Sequence, residues 1–104
     1  MSIPLTTVKN LINEYYKTDI CVKSRKREYS EPRQIYMYLC NNLYVNKKKC
    51  YDYLTIAKSV NLKNHTSIIH SCRNVENWLL YDKRLQKDIN YLENIIKDLQ
   101  TFVY

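Results

Sequence analysis

The 104-residue chain contains no glycine at all. Any left-handed backbone position must therefore fall to a residue with a β-carbon, and asparagine, of which there are several, tolerates it best. No apolar run of about eighteen residues occurs, which excludes an ordinary helical membrane span. The opening MSIPLTTVKN lacks the charged-then-apolar order of a secretion leader, so a cytoplasmic protein without a leader is expected. The four cysteines, Cys21, Cys40, Cys50 and Cys72, stand 10 to 22 residues apart and include no CxxC pair. Zinc ribbons and fingers use ligands paired a few residues apart. Reduced, mostly buried thiols are thus expected, and no metal.

Acidic residues are scarce in one place only. Between Lys23 and Lys63 ten basic residues face three acidic ones, and outside that segment seven face seven, so the whole formal charge of +7 sits in the centre of the chain. A block of excess cations suggests a surface for a polyanion, whereas scattered lysines would suggest only solubility. The length predicts one domain, residues 1–104. At this size a binding module is expected rather than an enzyme, with no catalytic residues and no cofactor. The eleven tyrosines are what an AT-rich coding sequence supplies and do not by themselves indicate a function.

Period 3.6 dominates. Val8, Leu11, Ile12 and Tyr15 predict an amphipathic helix over 6–18. The polar segment 18–30 reads as a loop, and Ser30-Glu31-Pro32 reads as a helix start, with the helix running to about Leu43. Residues 44–51, with Lys47-Lys48-Lys49, read as an exposed basic loop. A short helix over 52–60 carries Leu54, Ile56, Ala57 and Val60. A longer one over 64–80 carries Ile68, Ile69, Cys72, Val75, Trp78 and Leu79 on its apolar stripe. Asp82 caps a last helix with Leu85, Ile89, Leu92, Ile96 and Leu99. Nothing alternates with period two over a useful length. The fold class is all-α, a domain of about five helices.

The stretch LKNHTSIIHSC, residues 62–72, is the most informative. With Asn64 as N-cap, His65, Thr66 and Ser67 fall in the first helical turn, and His70 and Arg73 share the outer face with Thr66. A short helix, a tight link and a second helix with a polar first turn is the helix-turn-helix plan. A metal pair of His65 and His70 is disfavoured, because an i, i+5 spacing places them about 140° apart around the helix. A Cys72–His70 nucleophile pair is disfavoured because Cys72 falls on the apolar stripe. A polar helix start without a partner is the remaining alternative, and the clustered charge argues against it.

From about Leu5 to Leu99 the chain resembles the C-terminal DNA-binding domain (domain IV) of the bacterial replication initiator DnaA. The matching pieces are Glu14-Tyr15-Tyr16-Lys17, Ser24-Arg25-Lys26-Arg27, and Pro32-Arg33-Gln34-Ile35 leading to Met37 and Leu39. Then comes Leu62-Lys63-Asn64-His65-Thr66-Ser67-Ile68-Ile69-His70 with Cys72-Arg73, against a family signature of the form GRDHTTVLHA.

The resemblance implies a Trp-repressor-like helical fold that binds double-stranded DNA at an AT-rich, DnaA-box-like site. It implies base contacts from Arg25 in the minor groove and from Asn64, His65, Thr66 and Ser67 in the major groove. It implies phosphate contacts from Arg33, Gln34, Lys63, His70 and Arg73. Lys23, Arg27 and Lys48 join the expected phosphate contacts, though for Lys23 and Arg27 a solvated charge is an equal reading.

The chain also departs from the family. Its aspartate is Asn64 here, and an amide that donates as well as accepts favours adenine over cytosine. Two glycines of the turn are replaced by Asn61 and Leu62. The link after Leu43 is longer and carries the lysine run. No GxxxxGK[ST] phosphate loop exists, so the nucleotide-driven part of an initiator is not expected in this chain. A regulator of replication initiation or transcription is expected, with a phage or mobile element among the sources. A monomer is expected over a homodimer, with no membrane and no small-molecule substrate. Two other readings stand beside it: a protein-docking module on the same fold, and a non-specific DNA coat.

Overall fold

A computed structural model of the chain describes residues 3–22, 26–45 and 48–102. Five helices appear in the order expected: α1 (Leu5–Tyr16), α2 (Arg27–Asn41), α3 (Tyr53–Ser59), α4 (Thr66–Leu79) and α5 (Lys83–Phe102). The expected all-helical class holds. Between α2 and α3, where a plain loop was expected, Tyr44–Val45 (β1) and Lys48–Lys49 (β2) pair antiparallel. Two residues a side are too few for a period-two signal to register in the sequence.

The largest revision is the start of α2. It begins at Arg27, not near Ser30, so Pro32 sits inside the helix and is buried there. A proline has no N–H for the i−4 carbonyl, so one ladder bond, to Glu28, is forgone. Several contacts hold the first turn closed. The N–H groups of Tyr29 and Ser30 donate to the Lys26 carbonyl at 3.0 and 2.9 Å, and Arg27 pairs with Glu31 at 2.7 Å across i, i+4. Glu28 adds a favourable negative charge near the helix N-terminus.

The core is built around α2, which packs on α1, α3 and α4. Its Ile35, Tyr36, Met37, Leu39 and Cys40 are all buried. Val8 and Ile12 from α1, Ile56 and Ala57 from α3, and Ile68, Cys72 and Val75 from α4 close on it. From α5, Leu85, Ile89, Leu92 and Ile96 complete the cluster at the spacing read from the sequence. Leu54, expected in the apolar stripe of α3, is exposed instead. Tyr36 carries its hydroxyl into the core. That hydroxyl donates to Ser59 Oγ at 2.7 Å, while Ser59 donates on to the Ile56 carbonyl at 2.6 Å. An unbonded phenol there would lose its hydration without return.

The tyrosines of α1 have a structural use. Tyr15 and Tyr16 donate to the two carboxylate oxygens of Asp88 on α5, at 2.7 and 3.2 Å, and Tyr15 lies against Tyr91 with ring centroids 5.5 Å apart. The left-handed positions fall to Asn61 (φ 62°), as expected, and also to Lys17 (φ 53°) at the end of α1. At Lys17 the ending is held by Thr18 N–H donating to the Asn13 carbonyl at 3.0 Å. Each such residue costs on the order of 1 kcal/mol relative to glycine. All four cysteines are free thiols, two buried (Cys40, Cys72) and two half-buried (Cys21, Cys50). No helix of the described residues is long and apolar enough to cross a membrane.

Candidate nucleic-acid interface

The helix-turn-helix consists of α3, the link 60–65 and α4. Asp52 caps α3 by accepting from Thr55 N–H at 2.8 Å. At its other end Asn61 turns left-handed, its N–H reaches the Lys58 carbonyl at 3.1 Å, and Leu62 N–H reaches the Ala57 carbonyl at 2.9 Å. These bonds satisfy the last carbonyls of α3 much as a glycine ending would. Asn61 thus takes the role left open by the missing glycine.

α4 starts at Thr66 with His65 at its N-cap, one residue later than the Asn64 cap expected from the sequence, while Asn64 reaches into the first turn from just ahead of it. Asn64 Oδ1 accepts from the Thr66 N–H at 2.9 Å, and the Asn64 carbonyl accepts from Ser67 N–H at 3.3 Å. His65 already has helical angles (φ −63°, ψ −21°), and its carbonyl takes Ile68 N–H at 3.0 Å. Lys63, Asn64, His65 and Thr66 are exposed and Ser67 is half-buried. His70 and Arg73, further along, are exposed as well. The opposite side of the helix, Ile68, Ser71, Cys72 and Val75, is buried. One helix therefore presents a polar, partly cationic edge while its apolar stripe fixes it to α2. Buried Ser71 was not anticipated; the small side chain sits where α4 comes close to the core.

Gln34 and Arg33 serve different neighbours. Gln34 Oε1 accepts from Asn74 Nδ2 at 2.8 Å, tying the middle of α2 to α4. Arg33 Nε donates to the Ile20 carbonyl at 2.9 Å, and its Nη2 donates to the Val22 carbonyl. The guanidinium thus anchors the backbone just ahead of residue 23. That segment is further held by Ile20 N–H on Asn13 Oδ1 and Cys21 N–H on Asp19 Oδ1, both at 3.0 Å. Lys23 and Arg25, the expected phosphate and minor-groove contacts, lie outside the described residues. Arg27 is exposed and shares its charge with Glu31. Lys48 is exposed on the hairpin, and Lys49 Nζ stands 3.8 Å above the Tyr53 ring.

Of the expected contacts, Thr66, Ser67, His70 and Arg73 lie on α4, with Lys63, Asn64 and His65 just before it and Gln34 joined through Asn74. Asn74 was missed by the sequence reading. Its only signal is an i, i+4 spacing from His70 on the exposed face.

Comparison with known proteins identifies the helix-turn-helix. The family model described as the bacterial DnaA protein helix-turn-helix matches residues 6–75. Three curated relatives, each named chromosomal replication initiator protein DnaA, align with much of the chain. The protein of Bacteroides thetaiotaomicron is 36% identical over 80 residues, which is 75% of this chain and 16% of the relative. That of Rickettsia canadensis is 36% identical over 81 residues, 78% of this chain and 16% of the relative. That of Treponema denticola is 28% identical over 100 residues, 93% of this chain and 20% of the relative. The chain spans a fifth or less of the length of these relatives.

Proposed function

The chain belongs to the bacterial DnaA helix-turn-helix family, and from that premise we propose that it binds duplex DNA sequence-specifically at an AT-rich site resembling a DnaA box. The matched region is a helix-turn-helix, not a catalytic module. The whole of 1–104 acts as one binding unit, as a monomer in the cytoplasm, in the control of replication initiation or of transcription.

The observation that carries the reading is the first turn of α4, where His65 and Thr66 stand exposed beside the capping Asn64 while Ile68 and Cys72 anchor the helix behind them. In this fold plan the N-terminal residues of the second helix meet base edges in the major groove. A histidine ring can hydrogen-bond such an edge, and a threonine methyl can pack on thymine. Ser67 completes the reading set, and Arg25 reaches into the adjoining minor groove, where AT-rich sequence is narrow and strongly negative. Arg33, Gln34, Lys63, His70 and Arg73 fix the register on phosphates without reading sequence.

Selection of sites from a random duplex library tests this directly. A single preferred motif is expected, and His65→Ala or Thr66→Ala should each remove about 1–3 kcal/mol of discrimination at one base pair. Unchanged discrimination in both variants would overturn the assignment.

One observation favours a second reading, docking on a protein. Leu80 and Tyr81 are 78% and 73% exposed at the far end of α4 from the reading residues. A partner captured there, with no duplex preference, would support it.

A further inference from the structure

The hairpin between α2 and α3 carries Lys48, one of the phosphate contacts expected from the sequence. Its sequence places three lysines in a row, Lys47 to Lys49, with no acid between Pro32 and Asp52. Lys48 pairs across the ribbon with Val45, and Lys49 with Tyr44. The ladder is extended by Cys50 N–H donating to the carbonyl of buried Leu43 at 2.9 Å, which roots the ribbon in the core. Successive residues of a strand point to opposite faces, so the ribbon carries one cation on each face. Neither Lys48 nor Lys49 forms an ion pair with a carboxylate among the described residues. Asp52, whose carboxylate accepts from the Thr55 N–H, lies close enough to Lys49 for the ammonium to help lower its pKa.

Besides that neighbouring carboxylate, a ring helps to hold Lys49. Its ammonium lies 3.8 Å over the ring of Tyr53, the first residue of α3. A cation held by an aromatic face keeps its charge available to an anion. The location matters as much as the charge. When the second helix of a helix-turn-helix enters the major groove, the first crosses the sugar-phosphate backbone. The start of α3, and the ribbon fastened to it, then lie along that backbone.

We propose that the β1–β2 hairpin is a cationic wing that rests on DNA phosphates flanking the site read by α4. Lys48 is its phosphate contact, and Lys49, seated on Tyr53, is the second cation and fixes the ribbon to α3. The proposal rests on the major-groove reading for its orientation, and it adds a sequence-blind contact outside that reading set.

Salt dependence separates the two. The probes are a duplex carrying the site selected from a random library and a scrambled duplex of equal length, titrated at 50 to 200 mM salt. Each phosphate contact contributes about 0.9 to the slope of log affinity against log salt. Lys48→Ala should lower the slope by about 0.9 and the Lys48→Ala/Lys49→Ala double variant by about 1.8. Over that salt range each lost contact shrinks the salt effect on affinity about 3.5-fold. The ratio of affinities for selected and scrambled duplexes should not change, and Lys48→Arg should retain the parent slope. Parent slopes in both alanine variants would overturn the wing. So would a collapsed affinity ratio, which would mean that the hairpin acts through the reading helix instead. A parent protein that binds both duplexes equally would sink the major-groove reading instead, and the slopes would still report on the hairpin.

Discussion

The side-chain oxygen of Asn64 is hydrogen-bonded to the backbone N–H of Thr66 at 2.9 Å, so the residue that caps the reading helix is oriented by the cap itself. On the proposed reading, with the oxygen aimed at the backbone, the NH2 is the end that would face a base. Two-point recognition of adenine needs both ends of the amide. The cap therefore narrows the adenine preference implied by the amide alone to a preference for an acceptor, such as a purine N7 or a thymine O4.

Asn64→Asp should keep the cap, because a carboxylate accepts from Thr66 as well as an amide does. It should also move the preference at that base pair toward cytosine, whose amino group donates. Asn64→Ala should lose about 1 kcal/mol of stability with the cap and lose discrimination at the same position. Site selection with each variant, beside thermal melting, measures both. A common base preference in all three proteins would show that Asn64 only caps.

Arg33 holds the carbonyls of Ile20 and Val22 with two separate N–H groups. Lysine has the charge but not the planar fork. Arg33→Lys should therefore behave more like Arg33→Ala than like the parent. It should lower stability by about 1–3 kcal/mol and relax preference at the flanking A·T pairs, as Arg25→Ala should. Parent-like binding and melting by Arg33→Lys would show that only its charge is used.

Asp82 accepts from Leu85 N–H at 3.1 Å and caps α5. Asp82→Ala should cost about 1 kcal/mol, seen as a fall of about 4–8 °C in Tm. Affinity for the selected duplex, measured well below the transition, should be unchanged because the cap lies at the far end of α4. A lowered affinity there would place the α4–α5 corner in the interface.

Burial pushes the Cys40 thiol up to about 12 from its ordinary 9.0, and burial also raises Tyr16 and Tyr36. A raised folded-state value means that the native protein holds its protons more tightly than the unfolded chain does. The associated stability is complete below about pH 9 and is lost as pH rises toward 12. Urea midpoints measured from pH 8 to 11 should fall steadily, and less steeply in Cys40→Ala. A flat profile would mean that these groups ionise without unfolding.

What the sequence disclosed follows from the range of the forces involved. Amphipathic spacing located α1, α4 and α5, and Asp82 was recognisable as a cap because a cap is local chemistry, whereas the N-cap of α4 fell one residue past the expected Asn64, at His65. The start of α2 was misread because Ser30-Glu31-Pro32 has the composition of a first turn. The true start at Lys26 has no side-chain cap to betray it. The left-handed Lys17 was missed because nothing in a lysine signals that conformation. Tyr15 was placed on the apolar stripe of α1 by its spacing, yet both Tyr15 and Tyr16 bond Asp88, more than seventy residues away and beyond any local pattern. On α4 the polar edge was legible from periodicity, while the tie between Asn74 and Gln34 needed the packed helices.

Arg33 and Gln34 are consecutive in α2, yet one grips the chain at Ile20 and Val22 and the other grips α4 through Asn74. The backbone at Ile20 and Val22 and the helix α4 are therefore both tied to α2. On the proposed reading, the protein is expected to measure groove separation as well as sequence. An A-form duplex with the right sequence would be out of gauge at one end, so its hybrid or RNA counterpart should be refused without a single mismatched base.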